Sequence, residues 1–276
     1  IEAPPGSITP EKASAWRKLG INRVSLGVQS FVSRELASTG RRHNAAVVSA
    51  EIDCLRSAGI DNFNIDLIAG LPGQNRASWQ ESLDWVERVR APHVSVYMLE
   101  VDSESRLGAE LLAGGKRYRA AEAPPEDLIV ELYLCAVERL EALGLARYEI
   151  SNFAHPGRES RHNLKYWRGE PYAGFGADAH SFDGRWRSRN AETPQEYVER
   201  RRQGRPFCVE RTAARPEEER FILGLRLLQG IEPSPEEWEK FHSAIRRHIQ
   251  TGLLETNGRR LRLTPRGVVL SNEVFE

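Results

Sequence analysis

The chain has 276 residues, of which 40% are hydrophobic and 28% are charged. A chain of this length buries about three quarters of its unfolded surface, which predicts a globular body with an appendage. Its 39 basic and 39 acidic residues cancel, so no overall field attracts nucleic acid, and no nucleic acid partner is expected. No apolar run approaches the roughly 20 residues that cross a bilayer, and the first residues do not form a signal peptide. We therefore expect no transmembrane segment and a cytoplasmic location.

Runs of alternating apolar and polar residues occur in the first hundred positions, and successive side chains of a strand point to opposite faces. The apolar positions are Val24, Leu26 and Val28, then Phe63, Ile65 and Leu67, then Val94, Val96 and Met98. Three polar residues, Glu2, Gln29 and Asp66, stand near the carboxyl ends of successive runs. If helices cover the apolar faces, the polar faces converge on one interior.

Helices are predicted between these runs. Thr9 and Pro10 begin one helix, Asn44 caps a second, and a third lies near residues 76 to 90. Alternation of strand and helix predicts parallel strands with right-handed crossovers. The fold class is therefore α/β, either part of a barrel or a doubly wound sheet, with active groups at the carboxyl ends of the strands.

The rest of the chain changes character. Residues 147 to 153 are typical of a strand, residues 160 to 167 fit neither strand nor helix, and Asp183-Gly184 predicts a hairpin. Three helices and a second hairpin at Asn257-Gly258 predict a small winged-helix-like unit. We expect domains at 1–205 and 206–276. A winged helix raises the alternative of a DNA-binding module, but such arginine clusters are more often solvated faces, and DNA binding would have to be salt-dependent.

Asp66 has two interpretations because a buried unpaired carboxylate is costly. It could pair with Arg23, or it could anchor a cationic or hydroxyl-rich ligand. The glycine-containing turn at 70–73 would let backbone approach such a ligand. The three cysteines, Cys54, Cys135 and Cys208, are scattered and form neither a disulfide framework nor a metal motif. Each is interpreted as a buried structural thiol.

Five ordered strings resemble the radical S-adenosylmethionine proteins of the oxygen-independent coproporphyrinogen III oxidase group. They are Ile-Glu-Ala-Pro-Pro at 1–5, Ser-Leu-Gly-Val-Gln-Ser-Phe at 25–31, Gly-Arg-Arg-His at 40–43, Asp-Leu-Ile-Ala-Gly-Leu-Pro-Gly-Gln at 66–74 and Ser-Val-Tyr-Met-Leu-Glu at 95–100. The resemblance runs through essentially the whole chain. It implies a partial (β/α)6 barrel and a C-terminal winged-helix-like domain.

The strings at 148–154, 162–167 and 174–182 are similar to the heme-chaperone branch of that group, called HemW, rather than to the true oxidases. The resemblance implicates His162, Asn163, Tyr166 and Trp167 in heme binding. His162 could ligate the heme iron, and the two aromatic side chains could cover a porphyrin face. The alternative is that His162 bonds a loop while the aromatics fill the core. His180 is a second, weaker candidate.

The resemblance also implies that Glu2, Gln29, Arg41 and Asp66 contact S-adenosylmethionine. It further implies a 4Fe-4S cluster held by Cys-x-x-x-Cys-x-x-Cys, a motif that this sequence does not contain. We expect a chain truncated at its N-terminus, with the cluster present only in the complete protein and no catalytic residues assigned. The expected function is a heme chaperone that passes heme to an unidentified acceptor protein. The alternative is an oxygen-independent coproporphyrinogen III oxidase.

Overall fold

A computed structural model describes residues 1–100, 106–115 and 117–275. The chain forms two compact units, Ile1–Glu159 and Ser160–Glu276. The expected domain boundary at 205/206 lies later in the chain than this division and stays a prediction. Each unit is described separately below.

The first unit contains a mixed sheet with the strand order β1-β2-β3-β4-β6-β5 among the described residues. Its strands are β1 (Glu2–Ala3), β2 (Val24–Gln29), β3 (Phe63–Ala69), β4 (His93–Met98), β5 (Ala146–Arg147) and β6 (Asn152–Ala154). Strands β1 to β4 are parallel neighbours, as the alternating sequence predicts. The α/β class and the four parallel strands are confirmed, and the described sheet ends at β1 and β5 without closing.

Helices lie between the parallel strands and after β4. They are α1 (Pro10–Lys18), α2 (Ser33–Ser38), α3 (Ala45–Ser57), α4 (Arg76–Arg88), α5 (Arg106–Leu112) and α6 (Glu126–Ala142), with a 3₁₀ segment at Arg117–Glu122. The caps act as predicted, since the side chains of Thr9 and Asn44 accept from backbone N–H groups of the first turn. The N-terminus of α4 is closed by a reciprocal capping box between Asn75 and Ser78.

The apolar face of the sheet forms the core of the first unit. Val24, Leu26, Ile65 and Leu67 have no exposed surface. Trp79 of α4 is also fully buried, and its indole N–H donates to the Leu132 carbonyl of α6 at 2.8 Å. Burial of the indole therefore leaves no unpaired donor. The polar face of the sheet is left for the candidate site.

The single strand predicted at 147–153 is wrong, because this segment is a tight antiparallel hairpin of β5 and β6. The Tyr148 N–H donates to the Asn152 carbonyl at 3.1 Å. The hydroxyl of Tyr133 on α6 donates to the Ile150 carbonyl at the turn. Strand β6 in turn pairs with β4 in antiparallel orientation, which makes the sheet mixed.

The first half of the second unit is a helix followed by a three-stranded antiparallel sheet. Its elements are α7 (Arg161–Trp167), β7 (His180–Phe182), β8 (Trp186–Asn190), α8 (Pro194–Arg202) and β9 (Cys208–Ala213). The hairpin at Asp183-Gly184 is confirmed, and Gly184 has a φ of +94°. The prediction that 160–167 is irregular is wrong. Ser160 caps a helix there by accepting from the Asn163 N–H at 3.3 Å.

The second half is helical with one further hairpin, as predicted. Its elements are α9 (Pro216–Gly224), α10 (Pro235–Lys240), α11 (His242–Gln250), β10 (Leu254–Asn257), β11 (Arg260–Leu263), α12 (Pro265–Val269) and α13 (Ser271–Phe275). The buried side chains of Ile245, Leu254 and Leu261 join the helices to the hairpin. In the described parts of the chain, no helix is both long and apolar enough to cross a bilayer.

Candidate functional sites

The polar face of the first unit carries two of the predicted cofactor residues. In the sheet register, Glu2 is opposite Ser25, Ser25 is opposite Asn64, and Asp66 is opposite Ser95. Alternation places all of these side chains on the face opposite the core. Glu2 is exposed, whereas Asp66 is half-buried.

Asp66 is held by neighbouring polar groups. Its carboxylate accepts from the Ser25 hydroxyl at 3.1 Å and from the Asn64 amide at 2.7 Å. Burial raises the pKa of Asp66, these hydrogen bonds oppose the rise, and the nearby negative charge of Glu2 adds to it. Among the described residues no ion pair joins Asp66 to Arg23, whose guanidinium instead donates to Asn62 at 3.2 Å. Arg23 and Asp66 still attract each other through their opposite charges, but the two side chains form no direct pair in the described part of the chain.

Asn64 is the centre of this polar face. Its amide nitrogen contacts Asp66, Ser25 and Ser95, and its carbonyl oxygen lies 2.6 Å from His93 Nδ1. Since that oxygen can only accept, Nδ1 of His93 carries the proton and Nε2 accepts from the Tyr148 hydroxyl at 2.8 Å. Burial lowers the pKa of His93 to about 3, so the ring is neutral. No spacing in the sequence indicates the contact between His93 and Tyr148, which lie 55 residues apart.

The side chains of Gln29, at the end of β2, and Arg41, which follows α2, both approach Gly27 of β2. A β-carbon on Gly27 would lie 3.3 Å from the Gln29 amide and 3.9 Å from the Arg41 guanidinium. Arg41 donates to the Gly27 carbonyl at 3.0 Å. Gln29 has a φ of +67°, which is rare for a side chain other than glycine and coincides with a shift in the pairing of β2 with β3. The missing side chain at Gly27 leaves room for both polar groups.

The structure constrains the glycine turn and the cysteines in different ways. At Gly70, with a φ of +106°, a β-carbon would collide with Ile129, so the packing here requires glycine. Ligand approach at this turn stays a prediction. Cys54, Cys135 and Cys208 are half-buried rather than buried. Within the described ranges no group of three or more His, Cys, Asp or Glu side chains could hold a metal ion. The residues of this chain therefore do not fit a 4Fe-4S cluster.

In the second unit, α7 places the predicted heme residues on adjacent helical positions. His162 and Tyr166 are one turn apart, and the Tyr166 hydroxyl lies 3.1 Å from His162 Nε2. Asn163 and Trp167 form the neighbouring row and are both half-buried. His162 is exposed to solvent. The structure therefore brings the four residues together, with the imidazole outermost.

Tyr166 and Trp167 line a cleft of about 380 Å³ in the second unit. This volume lies within the range of small-molecule sites. The other lining residues are Gly169, Glu170, Tyr172, Phe182, Arg187, Glu219, Ile222 and Leu223. The rings of Tyr166 and Tyr172 meet edge to face at 4.6 Å between centroids. Burial raises the pKa of Tyr166, which keeps its hydroxyl protonated.

The sequence interpretation missed the charged pair in this cleft. Arg187 of β8 bonds Glu219 of α9 through two parallel contacts of 3.1 and 2.6 Å. The partners come from different elements, so no local pattern predicts them. His180, the weaker heme candidate, is exposed on β7 and is not among the residues that line the cleft.

Comparison with known proteins defines first a class and then a family. The radical SAM superfamily profile matches residues 1–86, and the HemN C-terminal domain profile matches residues 216–270. Coproporphyrinogen III oxidase (HemN) from Escherichia coli, a radical SAM enzyme, matches with a TM-score of 0.82 and 19% identity, covering 100% of this chain and 68% of that one. At this identity the likeness establishes the fold alone.

Relatives in sequence are more specific. Heme chaperone HemW of Bacillus subtilis is 34% identical over 285 residues, covering 100% of this chain and 74% of that protein. Heme chaperone HemW of Lactococcus lactis is 31% identical over 284 residues, with the same two coverages. The chain belongs to the HemW family of the radical SAM superfamily, as its motifs predict.

Proposed function

We propose that this protein is a heme chaperone that binds heme at the aromatic cleft of its second unit and passes it to an acceptor protein. One observation carries the proposal: an exposed imidazole, His162, stands one helical turn from Tyr166 at the rim of an apolar cleft. Family membership supports the same cargo. The acceptor is not identified by any feature of the chain, and the cytoplasmic location stays a prediction.

The hydrogen bond between His162 and Tyr166 specifies how the imidazole would act. In the tautomer with the proton on Nδ1, the Tyr166 hydroxyl donates to Nε2, which carries a lone pair. Heme iron takes that kind of nitrogen lone pair as an axial ligand. Iron ligation through Nε2 would therefore replace the Tyr166 contact, while Tyr166 and Trp167 would pack against the macrocycle.

We also propose that Glu2, Gln29, Arg41 and Asp66 contact S-adenosylmethionine. The pKa of Asp66 is raised by burial, so a cationic ligand beside it would stabilise the charged carboxylate. Arg41 could bind the ligand carboxylate. The oxidase alternative would use the same four residues and would also require a three-cysteine motif, which these 276 residues do not contain.

Heme titration tests the proposal. Purified protein should develop a Soret band with a saturable shift, and His162→Ala should lose that ligation signal. His180→Ala is the matched control, because it removes an exposed histidine of the same unit that lies outside the cleft, and it should bind as wild type does. Equal heme spectra for His162→Ala and wild type would reject His162 as the ligand.

A further inference from the structure

The charged pair in the aromatic cleft is anchored unequally. Arg187 donates to the Tyr172 hydroxyl at 3.1 Å and packs over the Phe182 ring at 4.6 Å from its centroid, in addition to its two bonds with Glu219. The Arg187 guanidinium therefore keeps its place without Glu219. Glu219 lies in the first turn of α9, where its carboxylate also accepts from the Arg215 N–H at 3.2 Å. With 24% of its side chain exposed, it can turn into solvent when that single backbone contact breaks.

Heme combines a flat apolar macrocycle with two propionate carboxylates. An aromatic cleft suits the macrocycle, and a fixed guanidinium suits a carboxylate, which it binds through two parallel hydrogen bonds. We propose that Arg187 is the propionate-binding residue of this cleft and that Glu219 is an internal carboxylate which the ligand's carboxylate replaces. This inference rests on the proposed heme-binding function and adds the specificity determinant of that site.

The charges of the cleft explain why Glu219 would have to leave. Arg187 is the only cation among the described residues that line it, and Glu219 is its acidic partner. The second acidic lining residue, Glu170, pairs with Arg168 at 4.0 Å. A propionate placed beside the intact pair would be repelled by the Glu219 carboxylate and would find the Arg187 donors already used. Exchange of one carboxylate for another removes that repulsion without moving a proton, since Arg187 also lowers the Glu219 pKa and keeps it ionised.

Two ligands and two substitutions test the exchange. Hemin carries free propionates, whereas hemin dimethyl ester presents a similar macrocycle without the two charges. Arg187→Gln should weaken hemin binding by roughly tenfold, as expected for loss of a charge-assisted bond, and should leave the ester unaffected. Glu219→Gln should tighten hemin binding several-fold, again without changing the ester, because the internal competitor loses its charge.

Three outcomes would overturn the inference. If the pair is only a brace between β8 and α9, both substitutions should weaken hemin and ester alike and lower the melting temperature together. If wild-type protein binds hemin and the ester equally well, the carboxylate role fails while the heme-binding function survives. If wild-type protein binds neither ligand, the proposed function fails and this inference fails with it.

Discussion

The polar face of the first unit and the aromatic cleft of the second differ in how firmly their polar side chains are held. On the polar face, Asn64 and Ser95 are 2% exposed and His93 is fully buried, and each has at least two partners within hydrogen-bonding distance. At the rim of the cleft, His162 is exposed and contacts Tyr166, and within the cleft the Arg187–Glu219 pair is partly open to solvent.

This difference indicates two kinds of site. A closed hydrogen-bond network fixes the direction of Asp66 before any ligand arrives, so little ordering remains to be done on binding. The exposed contacts of the cleft are ones that an incoming ligand can replace, because each costs little to break. A protein that must release its cargo needs contacts of the second kind. The predictions below test whether the two regions are as different as this geometry indicates.

The largest effect is expected from Asn64→Leu in the network. The change leaves Asp66, His93 and Ser95 each short of a partner in a buried setting, so we expect a loss of about 4 kcal/mol in the free energy of unfolding. Urea denaturation measures it. Asn163→Leu makes the same change at a half-buried position of α7 and should cost below about 1 kcal/mol. Equal losses would remove the distinction between the regions.

Acid should destabilise the first unit through His93. The folded-state pKa is about 3, against 6.5 for a free side chain, so the unfolded chain holds more protons between these values. As the pH is lowered through this range, the free energy of unfolding decreases by up to about 1.4 kcal/mol per pH unit. Between pH 6.5 and pH 4.5 the total loss of stability is about 2.5 kcal/mol.

His93→Gln should remove that slope. The raised pKa of Asp66 has the opposite sign, since protonating Asp66 favours the folded state, and it is common to both proteins. The difference between wild type and variant in urea midpoints from pH 7 to pH 4.5 therefore isolates His93. Parallel curves would show that His93 is not buried as a neutral ring.

Helix α7 should depend on its cap. Ser160→Ala removes the acceptor for the Asn163 N–H and should cost about 1 kcal/mol in stability. Heme affinity should fall as well, because the helix that carries His162 frays. Thr193→Ala removes the matching cap of α8 and should cost a similar amount without affecting heme. A heme effect from both variants would mean that the loss is general instability.

The smallest expected effect comes from removing the tyrosine hydroxyl that bonds a histidine, and the two regions should respond differently. Tyr166→Phe removes the hydroxyl that occupies His162 Nε2, so heme affinity should rise by roughly threefold. Tyr148→Phe removes the equivalent bond to His93 Nε2 in the network and should instead lower stability by about 1 kcal/mol, with heme titration unchanged. Weaker heme binding by Tyr166→Phe would contradict replacement of that bond.

The sequence predicted the first four strands well because one physical pattern sets them. Alternation at Val24, Leu26 and Val28 encodes which face of a strand is buried, and no distant information is needed. The turn between β5 and β6 was missed for the opposite reason. Residues 147 to 153 alternate like one strand, but the bond from Tyr133 to the Ile150 carbonyl comes from a helix elsewhere in the chain.

The candidate sites were predictable only where a motif or strand end identified them. His162 and Tyr166 were found through a family string, although their stretch lacks helical periodicity and was not expected to form α7. Arg187 and Glu219 lie on a strand and a helix that meet only in the folded unit. A contact of that kind leaves no spacing in the sequence for a pattern to reveal.

The pairing of the strands has a consequence for the order of folding. The parallel sheet joins residues far apart in the chain, such as Ser25 with Asn64, 39 positions later, and Asn64 with His93, 29 positions later. In the second unit, β7 with β8 and β10 with β11 form hairpins that close locally. Since long loops slow folding, amide protection should develop first in β7–β8 and β10–β11 and last in β2–β4. Pulsed hydrogen exchange during refolding would measure this sequence, and simultaneous protection would contradict it.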